Sequence, residues 1–314
     1  MKEQIKKTIL LTGASGFIGR NIINQLQSHY DFIAIVRKHS NIAYIQGKCE
    51  IYRYENISDF IAFCKSDSVK NRVCGVLHLA TLYIKNHDSS DIKGIIDANV
   101  TFGAEVIEGL ARADFSGFFV SVGTFWQFYK NYPNNPLNLY AASKSAFERI
   151  IDFYANTTKI TFTSLFLNDT YGPEDTRPKI FNLWIKSLET DKVLEMSGGM
   201  QEIDLIYIDD VVSAFKIIIT LLLSPNYELL KDKRFALHTK ERKTLRELAE
   251  IFERVSGKRL KIAWGAKPYM ERENFIPFEF GDKLPLWEEK ISFEIGIKKL
   301  LDSTQLDSTQ KEGK

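Results

Sequence analysis

The chain has 314 residues, 44% of them apolar, enough for one large domain or two unequal lobes around a substantial core. Its 42 basic and 40 acidic residues are interspersed and leave a net charge of +2, so nothing electrostatic favours nucleic acid or a membrane surface as a partner. Cys49, Cys64 and Cys74 are odd in number and lack metal-ligand spacing; they read as buried thiols of a reduced, cytoplasmic compartment, and no residue is assigned to a metal.

The opening stretch MKEQIKKTILLTGASG carries charge ahead of an apolar run too short for a signal-peptide core, and reads as a first strand entering a glycine loop. Short β-branched or aromatic runs then alternate with helix-period segments: TILLTG, DFIAIVR, CEIYRY, GVLHLA, GFFVSVG and KITFTSLFL. Continuous apolar strands separated by helices indicate a parallel sheet buried on both faces, hence an α/β, doubly wound architecture. The run AFKIIITLLLS at 214–224 is too short for a bilayer span and reads as a helix covered by protein.

The loop TGASGFIGR sets Gly13, Gly16 and Gly19 three residues apart between a strand and a helix. Such glycines allow a tight turn, close approach of backbone N–H groups to a pyrophosphate, and close helix–sheet packing. The second strand ends in Val36, followed by Arg37 and Lys38, where an NAD-binding chain places an acid for the adenosine ribose. A guanidinium there favours a 2′-phosphate by roughly 1.5–3 kcal/mol, so NADPH is the expected cofactor, with the Ser15 hydroxyl added to the same phosphate.

Further on, YAASK opens a helix in which Tyr140 and Lys144 stand four apart on one face, continued by Phe147, Glu148 and Ile151. An ammonium beside a phenol lowers the phenol pKa from about 10 and makes it a usable proton donor. Glu148 and Arg149 read as a solvated or interfacial pair, His78 as a satisfied core histidine, and Asp209 and Asp210 as caps of the following helix.

After Tyr171-Gly172-Pro173 the regular alternation breaks down. The expected division is a dinucleotide-binding domain over 1–170, with a returning strand and helix at about 203–224. A smaller α/β substrate lobe takes 171–202 and 225–300, including a helix with Thr244 as N-cap candidate, and 301–314 form a flexible tail.

Taken together, TGASGFIGR, GVLHLAT, DANVTFGAEVI, YAASK, NDTYGPED and IYIDDVV resemble the extended short-chain dehydrogenase/reductase family: Rossmann-type, NAD(P)-dependent nucleotide-sugar epimerases, dehydratases and reductases. SVGTFWQFY, PLNLYAASK and LNDTYGPEDTRPK are most similar to its CDP-sugar 4-keto-reductases, the CDP-abequose and CDP-paratose synthase type. The resemblance implies cofactor contacts from Gly13, Ser15, Gly16, Phe17, Ile18, Gly19, Arg37, Lys38, Leu79, Ala80, Thr81, Asn99, Tyr140 and Lys144. It also implies catalysis by Tyr140, Lys144 and a strand-end hydroxyl, for which Thr124 is favoured and Ser121 is the alternative. Where the family's dehydratases carry an Asp-Glu pair after this Thr, Phe125 and Trp126 follow, which disfavours dehydration. Ile203 replaces the usual pyrophosphate-binding Arg, leaving Arg177, Lys179 or Arg272 to substitute, with Asp169 also on the substrate side; the third strand's usual adenine-contacting Asp is absent.

The implied reaction is NADPH-dependent reduction of the 4-keto group of a nucleotide-linked deoxysugar, CDP-linked by the narrower resemblance, for surface-polysaccharide synthesis. An NAD-dependent 4-epimerase, a non-catalytic NADP(H)-binding redox sensor and a carbonyl reductase without a nucleotide sugar are the alternatives. The family also implies a homodimer through the helices that include 97–112 and 140–156.

Overall fold

The computed structural model describes residues 6–311, and side chains as far as residue 303. Six apolar runs become the parallel strands β1 (Lys7–Thr12), β2 (Tyr30–Arg37), β3 (Glu50–Tyr54), β4 (Val73–His78), β5 (Phe118–Thr124) and β6 (Thr161–Leu167). They lie in the order β3-β2-β1-β4-β5-β6, and the short strands Lys233–Ala236 and Asp282–Lys283 extend the sheet beyond β6, all pairings being parallel. This is a Rossmann-type sheet, whose chain reversal between β1 and β4 opens a crevice at the carboxyl ends of the strands. Buried residues run without alternation along β1 and the middle of β2, because helices cover both faces.

Helices α1 (Phe17–Leu26), α2 (Ile57–Lys65), α3 (Asp67–Lys70), α4 (Asp91–Ile96), α5 (Phe102–Arg112) and α6 (Leu139–Thr157) belong to the same unit. A core of Leu10, Ile33, Phe60, Val106, Phe119, Phe147, Ile151 and their neighbours packs sheet against helices. One π-type turn, Asp97–Thr101, joins α4 to α5 and turns Asn99 inward, fully buried. Asn138 caps α6 by accepting a 3.0 Å hydrogen bond from the Ala141 N–H, which places Tyr140 in the first turn.

The chain divides into two units: residues 1–167, 212–236 and 280–286 form the sheet unit, and 168–211, 237–279 and 287–314 the other. The second unit holds three two-stranded pairings and the helices Ile180–Thr190, Leu245–Ser256 and Phe293–Lys311. Thr244 and Glu247 build a reciprocal capping box at the start of Leu245–Ser256.

Several expectations are corrected here. The strand near 203 does not return to the main sheet: Leu205–Tyr207 pairs with Asp169–Tyr171, and Lys233–Ala236 takes the place beside β6. The stretch read as irregular after residue 173 contains the helix Ile180–Thr190. The backbone expected as a tail from 301 is helical to Lys311, and residues 312–314 lie outside the described residues. Only Cys64 is fully buried, Cys49 and Cys74 being half-buried. The Asp210 carboxylate, 2% exposed, also ties down a distant segment, accepting the backbone N–H groups of Lys290 (3.0 Å) and Ile291 (2.9 Å).

Candidate active site

The three glycines of the first loop do different work. Gly13 has φ +69°, and a Cβ there would stand 2.6 Å from the Leu79 carbonyl carbon; one on Gly19 would stand 2.4 Å from the Gly13 oxygen. Both are packing positions that a side chain would force apart. Gly16 is exposed and starts α1 with extended backbone; no side chain caps the helix and no acid lies in its first turn. An uncapped helix N-terminus reached over bare backbone suits a pyrophosphate, so the residues present fit a dinucleotide. Ser15 is half-buried in the same turn, Phe17 is buried and Ile18 half-buried. Arg20, which sequence reasoning passed over, is also buried here, its guanidinium 4.4 Å from the centre of the Tyr44 ring.

Arg37 is exposed at the carboxyl end of β2, opposite Tyr54 of β3. Lys38 is shared with Glu55 at 3.3 Å in a solvent-exposed pair, leaving it less charge to offer a phosphate than Arg37. Across the crevice the chain leaves β4 through half-buried Leu79 and Ala80, and the Ala80 N–H donates to Thr12 Oγ1 at 3.1 Å. Asn99, expected to touch the cofactor, is committed elsewhere. Its Oδ1 accepts from Thr81 Oγ1 (3.0 Å) and Leu82 N–H (2.7 Å), and its Nδ2 donates to Leu82 O (3.1 Å) and Ser143 Oγ (3.0 Å). The amide's donors and acceptors are thereby filled, so Asn99 braces loop 80–82 against α6.

Tyr140 and Lys144 lie on one face of α6, the phenol half-buried and the lysine 4% exposed. Burial pushes the ammonium down to about 8, with Glu148 acting in the opposite direction. Thr124 ends β5; its hydroxyl oxygen accepts the Trp126 N–H at 3.3 Å while its own N–H donates to Gln127 Oε1 at 2.9 Å. A hydroxyl that accepts one hydrogen bond keeps its proton as a separate donor. Tyr83, another residue the sequence did not single out, joins the two segments: its ring meets Tyr140 edge-on at 5.1 Å and Trp126 at 5.6 Å.

Ser121 faces a different environment. Its hydroxyl donates to Glu148 Oε1 at 3.0 Å and lies 2.7 Å from Ser164 Oγ, which also reaches both Glu148 oxygens at 3.0 Å. Arg234, from the strand beside β6, donates to Glu148 Oε2 at 3.0 Å and pairs with Asp152. Glu148 is therefore no solvated partner of Arg149; it is 4% exposed, while Arg149 pairs with Asp152 at 2.9 Å from the solvent side. Position i+8 from Tyr140 could have hinted at this, since the apolar stripe passes through it.

His78 is buried as expected, among the rings of Phe102, Phe119 and Phe147, but only half satisfied. Nδ1 lies 3.0 Å from Thr12 Oγ1, and Nε2 has no hydrogen-bond partner among the described residues. Burial, with Lys144 nearby, lowers its pKa to about 3, so the ring is neutral.

A family model described as the NAD dependent epimerase/dehydratase family matches residues 9–227. The chain belongs to this family. Among curated relatives within it, CDP-abequose synthase of Salmonella muenchen is 28% identical over 308 residues, covering 95% of this chain and 98% of that one. CDP-abequose synthase of Yersinia pseudotuberculosis is 26% identical over 262 residues, with coverages of 82% and 87%. The fold matches a variant of Bacillus cereus UDP-glucuronic acid 4-epimerase solved with a fluorinated substrate analogue and NAD, at TM-score 0.81, 21% identity and coverages of 95% and 99%. It also matches Thermotoga maritima UDP-glucose 4-epimerase, at TM-score 0.80, 18% identity and coverages of 96% and 99%.

The remaining predicted residues lie outside the sheet unit. In the second unit Arg177 is held by Asp175 (2.7 Å) and by the Thr170 carbonyl and hydroxyl (3.0 and 3.1 Å), and Lys179 pairs with Asp169. Arg272 is exposed in a turn. The buried carboxylate of Asp204, next to Ile203, is met by His238 at 3.1 Å and Arg242 at 3.4 Å, two partners the sequence did not flag. No described helix is long and apolar enough to cross a membrane.

Proposed function

We propose that this chain is an NADPH-dependent reductase acting on the 4-keto group of a nucleotide-linked deoxysugar, with CDP as the favoured nucleotide. The observation that carries the reading is the site itself: Tyr140 over buried Lys144 on α6, beside a β5 end at which Thr124 is followed by Phe125 and Trp126. That surface can protonate an oxygen, yet the two residues after Thr124 have no carboxylate for moving protons at neighbouring sugar carbons. Near-full-length relatives named CDP-abequose synthase support the same substrate class.

NADPH, held by this site, would supply a hydride for the carbonyl carbon. Thr124 Oγ donates a hydrogen bond to the carbonyl oxygen and holds it in place; Tyr140 gives that oxygen its proton as negative charge develops. The Lys144 ammonium would favour the resulting phenolate and would hold the nicotinamide ribose hydroxyls, and Asn99 keeps loop 80–82 in position for the cofactor. At the other end, Gly16 and the first turn of α1 hold the pyrophosphate, while Arg37 and Ser15 take the 2′-phosphate. Asp169, Arg177, Lys179 and Arg272 are the proposed nucleotide-sugar contacts. The same reading includes cytoplasmic action in surface-polysaccharide synthesis and a homodimer through the helices that include 97–112 and 140–156.

The test is NADPH oxidation against a panel of CDP-, dTDP- and UDP-linked 4-keto deoxysugars. Turnover with a CDP-linked substrate is expected; no oxidation of NADPH with any of them would end the proposal. A 4-epimerase is the second reading, favoured by the NAD-bound epimerases that share the fold. It predicts tightly held NAD after purification and turnover with no added cofactor.

A further inference from the structure

Glu148 has a burial and a set of partners that a surface carboxylate would not need. It lies two helical turns from Tyr140 and one from Lys144, so the three side chains share one stripe of α6. Its carboxylate is held from three strands: Ser121 of β5, Ser164 of β6 and Arg234 of Lys233–Ala236, all at 3.0 Å. A carboxylate gripped by a guanidinium and two hydroxyls in a dry site is fixed in place, and its field on a neighbour one turn away is poorly screened.

We propose that Glu148 is a positioning residue for the Tyr140–Lys144 pair, its buried negative charge keeping Lys144 an ammonium ion at working pH. This rests on the role given to Lys144 in the proposed reaction. Among the described residues, these titratable groups lie on the elements packed about the lysine. His78, facing it from β4, is neutral through burial; Tyr140 precedes it on its own helix; Arg234 is bound to Glu148 and Asp152; Arg149 meets Asp152 from solvent. Among these, Glu148 is the group that raises the lysine's affinity for its proton, against a burial that lowers it.

A carboxylate of this kind shifts a neighbouring group by about 1–3 pH units. With Lys144 titrating at about 8, a loss of about one unit would cut its charged fraction at pH 7.5 roughly threefold. A merely structural Glu148 would lower thermal stability without moving that titration.

The test is the pH titration of Lys144 by NMR of the full chain carrying isotope-labelled lysine, with Lys144→Met supplying the assignment. Glu148→Gln is expected to lower the midpoint by about one unit or more. Glu148→Asp keeps the charge but withdraws it by one methylene, so a smaller fall is expected, and it carries the test if the glutamine variant does not fold. Ser164→Ala, which loosens the clamp and leaves the charge, should keep the midpoint near that of the parent. In the reductase assay the alkaline limb of kcat/KM should move toward acid in Glu148→Gln while activity at pH 6 persists. A Lys144 midpoint unmoved in both Glu148 variants would overturn the proposal. Because the titration needs no substrate, absence of reductase activity would count against the proposed reaction and leave this inference to its own result.

Discussion

The Ser121 hydroxyl donates to the Glu148 carboxylate at 3.0 Å, directing the polar end of the β5 residue toward α6. Thr124, three residues further along, is the strand-end hydroxyl, which accepts the Trp126 N–H and is the donor to the substrate oxygen in the proposed reaction. Thr124→Val should therefore lower kcat by about a hundredfold or more, the scale of losing a placed hydrogen-bond donor. Ser121→Ala should instead cost about 1–2 kcal/mol of stability, read as a lower urea midpoint. If Ser121→Ala proves the more damaging to kcat, the roles are reversed.

Tyr140→Phe removes the proton donor and keeps the ring against Tyr83. Turnover should fall by about 10²–10⁴-fold with NADPH affinity held within a few-fold. Equilibrium binding of NADPH followed by fluorescence, beside the rate assay, separates the two effects.

Charge at the end of β2 should choose the cofactor. Arg37→Asp should weaken NADPH binding about ten- to a hundredfold and leave NADH binding equal or improved. Calorimetry with both nucleotides measures this directly, and an unchanged preference for NADPH would remove Arg37 from the phosphate site.

Asn99→Ala should strip the brace between loop 80–82 and α6. Four hydrogen bonds are lost and buried partners are left unmet, a cost of about 2 kcal/mol or more. Cofactor KM should rise more than kcat falls, since the side chain acts by holding the loop rather than by touching the reacting atoms.

Acid should destabilise the sheet unit through His78. Its pKa in the folded state is lowered from 6.5 to about 3, so the unfolded chain binds the proton first as pH falls. The stability present above pH 6.5 is then lost at about 1.4 kcal/mol per pH unit, reaching on the order of 5 kcal/mol at pH 3. His78→Leu should flatten this dependence in urea unfolding measured between pH 7 and 4.

Much of the molecule was legible in one dimension because its determinants are local. Strand apolarity, three glycines at a strand–helix turn, and a tyrosine and lysine one helical turn apart each encode their consequence within a few residues. Those patterns were enough for the doubly wound sheet, the glycine turn between β1 and α1, and the placing of Tyr140 and Lys144 on one helix face. The tertiary structure decided whatever depends on residues far apart in the chain. The Ser121–Glu148 and Arg234–Glu148 contacts span 27 and 86 positions, and the link from Thr81 to Asn99 crosses a π-type turn with no sequence period of its own. A buried carboxylate and a solvated one look alike in the sequence; only the strands brought against α6 made Glu148 an interior charge, because burial belongs to the packed surroundings and not to the residue.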